Sequence, residues 1–198
     1  MKKLKIIDLF CGCGGFTSGV IASALRKQYI PEIALAADID SEVINVYKTN
    51  FKKHIKKILN ADINNIFPGN LNSPLNSNEN KLKNELINID ILVAGPPCQG
   101  HSDLNNITRR NDPRNQLYLK VIRAVEIIQP KVVIIENVTS IIHDRSQVIK
   151  KSIKHLAKMK YIIEEIEINA NDYGVAQKRK RHLLVAYNLK IPSSIKLL

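Results

Sequence analysis

Short apolar segments alternate with segments of helical periodicity along almost the whole chain. KIIDLF (5–10), IDILVAG (89–95) and KVVIIENV (131–138) are runs of strand-forming residues, and each is followed further along by an amphipathic helical stretch. Repeated β-α-β units place their strands in parallel, with the helices packed against the sheet. The sequence therefore predicts an α/β fold with a mostly parallel sheet and helices on both faces.

The rest of the chain fits the same pattern. Further strands are predicted at 32–39, shortly before Asp62, at 161–169 and at 182–189, and helices at 17–27, 41–50, 115–129 and 145–159. The last two strands are expected to pair as a terminal antiparallel hairpin. Residues 64–85 are rich in Asn, Ser, Pro and Lys, which indicates a surface loop ending in a short helix.

Local signals predict how the first two helices begin and which side they bury. Thr17 or Ser18 lies where a side chain caps the first helix, and Ser41 is expected to cap the second. In the first helix Ile21 and Leu25 belong to the apolar stripe that should face the sheet.

Length and composition restrict the class of protein. The 198 residues suffice for one domain with a proper core. No stretch approaches the ~20 apolar residues of a membrane span, and the amino terminus lacks the apolar core of a signal peptide, so we expect a cytoplasmic protein. The net charge of +12 fits a nucleic-acid partner, although lysine is abundant throughout. Cys11 and Cys13 lack two further ligands nearby, so no metal site is predicted.

Four of the predicted strands are directly followed by a glycine-rich turn or by residues with functional side chains. These segments are Gly12–Gly15, Asp38, Pro96–Cys98 and Glu136. In parallel sheets, ligands bind beyond the carboxyl ends of the strands. We therefore expect these four segments to form one site.

The first of these segments, DLFCGCGGFTSG (8–19), indicates a cofactor turn. It has neither the GxGxxG order of dinucleotide folds nor the Gly-Lys-Ser/Thr ending of a phosphate loop. Asp38 is placed to accept hydrogen bonds from ribose hydroxyls, and Asp62 could accept one from an adenine amino group. Together they suit an adenosine-containing cofactor without a phosphate clamp.

The fourth strand leads into a stiff loop that presents one thiol. Pro96 and Pro97 fix their own φ and restrict the residues before them, so Cys98 is held in a narrow range of positions. A thiol becomes a nucleophile only as the thiolate, which nearby cations favour. Arg179 and Arg181 are candidates for those cations, and no Cys-His-Asn arrangement of a protease is evident.

These segments, in this order, resemble the motifs of the cytosine-5 DNA methyltransferase family. The resemblance covers about residues 8–188 and implies a single methyltransferase catalytic domain over 1–198, with the Rossmann-like fold of S-adenosylmethionine-dependent methyltransferases. The matching segments are DLFCGCGGFTSG (cofactor motif), GPPCQGHS (nucleophile motif, 95–102), NDPRNQL (111–117, the start of a helix), ENV (glutamate motif, 136–138) and QKRKR (Gln-x-Arg-x-Arg motif, 177–181).

The resemblance implies roles for individual residues around S-adenosylmethionine. Phe10 would pack near the adenine, Ile39 against the ring, Asp38 would take the ribose hydroxyls and Asp62 the adenine amino group. The remaining residues assigned to the cofactor site are Asp8, Gly12, Gly14, Gly15, Ile63 and Pro96.

The resemblance also implies the chemistry. Cys98 would add to carbon 6 of cytosine, so that carbon 5 can attack the methyl group of the cofactor, while Glu136 holds the N3 edge of the base. Gln177, Arg179 and Arg181 would organise the site, with the arginines near the phosphate and the base. The target is expected to be a cytosine flipped out of duplex DNA, because a stacked base cannot enter such a pocket.

The sequence departs from the family pattern at three points. His101 stands where the family has phenylalanine, and Ala176 stands where proline precedes the glutamine. The sequence ends at Leu198 without a segment resembling the target-recognition domain or the final motif, so direct readout of bases is not supported. The chain would be a subunit of a split enzyme, a truncated product or a fragment. We favour the first two and expect little methylation by the chain alone.

Three functions follow from these observations. The leading one is DNA cytosine-5 methylation within a restriction–modification system, with a second subunit supplying target recognition. The alternatives are methylation of cytosine in tRNA by the same chemistry, and a non-enzymatic module that binds cofactor or nucleic acid. The sequence specifies neither the recognition site nor the oligomeric state.

Overall fold

A computed structural model describes residues 1–97, 116–143 and 146–189. The strands are β1 (Lys3–Leu9), β2 (Ile30–Asp38), β3 (Ile58–Asn60), β4 (Ile91–Ala94), β5 (Val132–Asn137), β6 (Tyr161–Asn169) and β7 (Lys180–Asn188). The helices are α1 (Gly15–Arg26), α2 (Ser41–Phe51), α3 (Ile63–Ile66), α4 (Ser77–Glu85), α5 (Leu117–Ile128) and α6 (Val148–Lys158). Short 3₁₀ helices cover Thr139–His143 and Ala170–Tyr173.

The seven strands form one sheet in the order β3-β2-β1-β4-β5-β7-β6. The pairs among β1 to β5 are parallel, whereas β7 runs antiparallel to both β5 and β6. This confirms the predicted parallel sheet with a terminal antiparallel hairpin. Because the chain order reverses between β1 and β4, the carboxyl ends of β1, β2 and β4 open onto a common crevice.

The core lies on both faces of the sheet, as predicted. On one face Ile6 and Ile33 of the sheet pack against Ile44 of α2. On the other face a larger cluster joins the strands to α3, α4, α5 and α6. Strands β1, β4 and β5 are rich in apolar residues, most of them buried, as expected for central strands of a parallel sheet.

The starts of the first two helices differ from the prediction. Gly14, in the left-handed region, is the N-cap of α1, and Thr17 lies inside the helix with its side chain buried. Asp40 caps α2, because its carboxylate accepts a hydrogen bond from the backbone N–H of Glu42 (2.8 Å). The prediction that Leu25 faces the sheet was also wrong, since 56% of its surface is exposed.

Residues 64–85 form a largely exposed loop that ends in the short helix α4, as predicted, but contacts to α5 that were not predicted hold the segment in place. Helix α4 carries Glu79, which is 0% exposed and forms an ion pair with Arg123 of α5 (2.7 Å), itself 1% exposed. Arg123 also donates to the carbonyl of Ser73 (2.9 Å), and Lys120 donates to that of Pro68 (3.0 Å). Buried charges need such partners, so this segment is held firmly against α5.

No helix among the described residues has both the length and the apolar character needed to cross a bilayer.

Candidate active site

A cleft of about 320 Å³ opens at the carboxyl ends of the central strands. Its size falls in the ~300–1,000 Å³ range of small-molecule sites. It is lined by Phe10, Ala37, Asp38, Ile39, Ala61, Asp62, Ile63, Asn64, Pro97 and Leu117. The structure thus gathers segments that follow β1, β2, β3 and β4, together with the first residue of α5.

Asp38, the last residue of β2, connects two turns at the cleft. Its Oδ2 accepts a hydrogen bond from the backbone N–H of Gly12 (2.9 Å), and its Oδ1 accepts one from the backbone N–H of Asp40 (3.1 Å). These bonds fix the orientation of the carboxylate. Each carboxylate oxygen can accept more than one hydrogen bond, so Asp38 can still receive hydroxyl groups of a ligand.

Apolar side chains form the other part of the cleft lining. Ile39, which stands between Asp38 and Asp40, is 67% exposed. Phe10 is half-buried. Asp62 accepts hydrogen bonds at Oδ1 from the backbone N–H (2.8 Å) and side-chain amide (3.0 Å) of Asn64. Apolar contacts beside two oriented carboxylates fit an adenosine group, and none of the described lining residues is a lysine or arginine that would clamp a phosphate.

The remaining residues predicted for the cofactor lie elsewhere. Gly14 and Gly15 do not line the cleft, and a Cβ at Gly14 would overlap the ring of Phe51. Pro97 lines the cleft in place of Pro96, whose carbonyl accepts a hydrogen bond from the side-chain amide of Asn137 (3.2 Å).

Asp8 was also assigned to the cofactor, but its side chain points into the core. It is 1% exposed and accepts a hydrogen bond from the Thr17 hydroxyl (2.6 Å), which in turn lies 2.7 Å from the hydroxyl of Tyr47. Burial raises the pKa of Asp8 to about 7; the Thr17 hydrogen bond lowers it, and the charge of Asp38 raises it.

Our sequence reasoning did not identify Thr17 and Tyr47 as a pair beneath the turn. One signal was available for Thr17, which shares a helix face with Ile21 and Ala24 at spacings of four and seven residues. A hydroxyl on that buried face requires a polar partner.

The predicted glutamate meets one of the predicted arginines. Nε of Arg181 on β7 lies 2.6 Å from Oε1 of Glu136 on the neighbouring strand β5, and the Glu136 side chain is 30% exposed. A Cβ at Gly95 would lie 3.7 Å from Oε2 of Glu136. The carboxylate therefore faces the loop that leads towards Cys98, which itself lies outside the described residues.

The other members of the Gln-x-Arg-x-Arg segment stand apart from this pair. Gln177 and Arg179 are exposed. The backbone N–H of Arg179 donates to the side-chain oxygen of Asn169 (3.0 Å), and that of Gln177 donates to the carbonyl of Val175 (2.8 Å). The structure thus brings Arg181 to Glu136 and leaves the Gln177 and Arg179 side chains facing solvent.

Comparison with known proteins gives the site a context. The model of the C-5 cytosine-specific DNA methylase family matches residues 4–196. The Type II methyltransferase M1.BsuMI of Bacillus subtilis is 41% identical over 97% of the chain. The Type II methyltransferase M.FnuDI of Fusobacterium nucleatum is 31% identical over 93% of it. The chain spans 44% and 47% of the lengths of these two relatives.

Solved structures share the fold. A prophage-encoded E. coli protein assigned as a DNA modification methyltransferase superimposes with a TM-score of 0.71 at 31% identity. The match covers 97% of this chain and 49% of the E. coli chain. A mutant of DNMT2 from Spodoptera frugiperda gives a TM-score of 0.70 at 25% identity, covering 99% of this chain and 53% of its own.

Proposed function

The chain belongs to the family of C-5 cytosine-specific DNA methylases, and from this premise we propose that it is the catalytic, cofactor-binding part of an enzyme that methylates carbon 5 of cytosine in duplex DNA. One observation carries the proposal. A cleft with an adenosine-type lining lies at the same sheet edge as the Glu136–Arg181 pair. The activity of the whole enzyme is a proposal, since the chain matches less than half the length of its curated relatives.

The cleft residues would hold S-adenosylmethionine, which supplies the methyl group when it is bound. Asp38, held by the N–H of Gly12, would accept the ribose hydroxyls. Ile39 and Phe10 would contact the adenine, and Asp62 would accept from its amino group. The described lining carries no cation that would repel a positively charged cofactor.

Glu136 and Cys98 would act on the target base. The Cys98 thiolate would bond to carbon 6, while Glu136 holds a proton at N3 and stabilises the charge that develops there. Once carbon 5 carried the methyl group, loss of its proton would break the bond between Cys98 and carbon 6 and release the thiolate. The transient bond between Cys98 and carbon 6 makes the catalysis covalent. Arg181 supports this role because its 2.6 Å contact keeps the Glu136 carboxylate oriented. Gln177 and Arg179, whose side chains face solvent, would contact the DNA.

The partner in this proposal is duplex DNA with a flipped cytosine, and the net charge of +12 favours contact with its phosphates. The relatives are named Type II methyltransferases. We therefore propose that this enzyme acts in a restriction–modification system in the cytoplasm. Target recognition would come from a part of the enzyme outside the described domain, in a second subunit or in a longer polypeptide.

Covalent trapping tests the proposal. Duplex DNA of mixed sequence containing 5-fluorocytosine, incubated with S-adenosylmethionine, the chain and a supplied recognition part, should give a denaturant-resistant adduct, whereas the chain alone should give little. Cys98→Ser should give none and Glu136→Gln much less. Glu85→Gln is the matched control, because Glu85 forms an exposed ion pair with Lys57 and neither residue lines the cleft, and it should trap like the wild type.

The other outcomes decide between the alternatives. Cofactor binding in calorimetry without any adduct, even with the recognition part present, would indicate a binding module. Preferential methyl transfer to tRNA in a competition assay would indicate an RNA substrate. Absence of both cofactor binding and adduct would refute the proposal.

A further inference from the structure

Two side chains meet across the base of the cofactor turn. Asp8 stands in β1 just before residues 9–16, and Thr17 stands in the first turn of α1 just after them. The 2.6 Å hydrogen bond between their side chains closes this segment at its two ends. The backbone N–H of Gly12, which binds Asp38, belongs to the closed segment.

Tyr47 extends this contact to a third element. Its hydroxyl lies 2.7 Å from the Thr17 hydroxyl, and it belongs to α2, the helix that follows Asp38 and Ile39. An ionised carboxylate only accepts hydrogen bonds, so Thr17 donates to Asp8 and Tyr47 donates to Thr17. This directed chain of hydrogen bonds, the Tyr47–Thr17–Asp8 relay, joins the helices behind the two turns of the cleft.

The same tyrosine also supports the turn through its ring. The rings of Tyr47 and Phe51 lie 4.7 Å apart. A Cβ at Gly14 would overlap the Phe51 ring and would lie 3.0 Å from Cδ2 of Tyr47. All three relay side chains are buried. Water therefore cannot replace a missing hydroxyl without entering the core, and the turn depends on the relay for its position.

We propose that Thr17 and Tyr47 are positioning residues for the cofactor: their hydroxyl relay to Asp8 holds the turn so that the N–H of Gly12 orients Asp38 for the ribose. This inference rests on the proposed function, and it assigns the relay a task in binding rather than in chemistry. Neither residue lines the cleft, so each acts through the backbone and through Asp38.

The charge state of Asp8 should affect the relay. The groups that face Asp8 are Thr17 from α1, Tyr47 from α2, Cys11 from the turn and Asp38 from β2. Burial, with the Asp8 and Asp38 charges, raises the pKa of the Cys11 thiol, which stays neutral. The pKa of Asp8 itself is raised to about 7, mainly by burial. Acidification below this value protonates Asp8 and weakens its attraction for the Thr17 hydroxyl.

Calorimetric titration of the full chain with S-adenosylhomocysteine between pH 6 and 9 tests the inference. At pH 8.5, Thr17→Val and Tyr47→Phe should each weaken binding about 3- to 10-fold, the range expected for one buried hydrogen bond. Thr17→Ser keeps the hydroxyl and should retain near wild-type affinity. The control is Tyr118→Phe, because Tyr118 is a buried tyrosine whose hydroxyl has no hydrogen-bond partner among the described residues; it should bind normally.

The pH profile separates positioning from a general loss of stability. Wild-type affinity should fall as the pH drops through about 7, where Asp8 becomes protonated, and Thr17→Val should flatten this pH dependence, because the charge of Asp8 then has no hydroxyl through which to hold the turn. Unchanged affinity in both relay variants, a pH dependence in Thr17→Val as steep as in the wild type, or an equal loss in Tyr118→Phe would overturn the inference alone. A wild-type chain that binds no S-adenosylhomocysteine would overturn the proposed cofactor and the inference together.

Discussion

Replacing Gly14 with alanine should destabilise the fold strongly, for two separable reasons. Gly14 has φ +89°, which costs an L-residue ~1–2 kcal/mol. The new Cβ would overlap Cε2 of Phe51 and lie 2.7 Å from Cζ of the same ring. Phe51 is buried, so moving its ring should add ~1–3 kcal/mol of overpacking. We expect a loss of ~2–5 kcal/mol in the free energy of unfolding.

Two other glycines separate these contributions in urea unfolding experiments. Gly12 has φ +50°, but a Cβ added there would meet no atom within 4 Å, so Gly12→Ala should show only the backbone cost of ~1–2 kcal/mol. Gly19 lies within α1, also with nothing within 4 Å, and Gly19→Ala should stabilise by up to ~1 kcal/mol. If Gly14→Ala costs no more than Gly12→Ala at equal m-values, the argument from the Phe51 contact is wrong.

Two further substitutions test the buried charges. Arg123→Met should lower the free energy of unfolding in urea by ~3–5 kcal/mol, because Glu79 would be left buried without its partner. Lys57→Met removes an exposed ion pair with Glu85 and should change the free energy of unfolding little. Equal losses in the two variants would contradict this reasoning. Asp8 has its pKa raised from 3.8 to about 7, so the unfolded chain binds fewer protons between these values and stability falls as the pH rises through them. At ~1.4 kcal/mol per pKa unit the full loss approaches ~4 kcal/mol, of which ~2–3 kcal/mol falls between pH 5 and pH 8. Asp8→Asn should remove it, which unfolding at these two pH values measures; parallel pH profiles for both proteins would refute the shift.

Elements whose signal is local could be predicted from the sequence. The strands β1, β4 and β5 are rich in apolar residues, and the alternating charges of β6 match its position at the edge of the sheet. The packing of residues 64–85 could not be predicted in this way. It depends on Glu79 and Arg123, which are 44 residues apart in the sequence, and the polar sequence of α4, SNENKLKNE, gives no sign that Glu79 is buried.

The site shows the same limit at the level of single side chains. Asp38, Ile39 and Asp62, which the sequence assigned to the cofactor, line the cleft because they stand at or just past the ends of strands. Asp8 stands inside β1, where side chains point alternately to the two faces of the sheet, and its carboxylate therefore faces the covering helices. Sequence order alone does not distinguish these two placements.

Strand β5 ends with two neighbouring residues whose side chains point to opposite faces of the sheet. Glu136 is directed towards Arg181, and the buried amide of Asn137 donates to the carbonyl of Pro96. Glu136 and the backbone that leads to Cys98 are therefore both attached to the end of strand β5. A movement of β5 would therefore shift Glu136 and the backbone at Pro96 together. The distance between them depends on two adjacent residues of one strand and not on the packing of several elements.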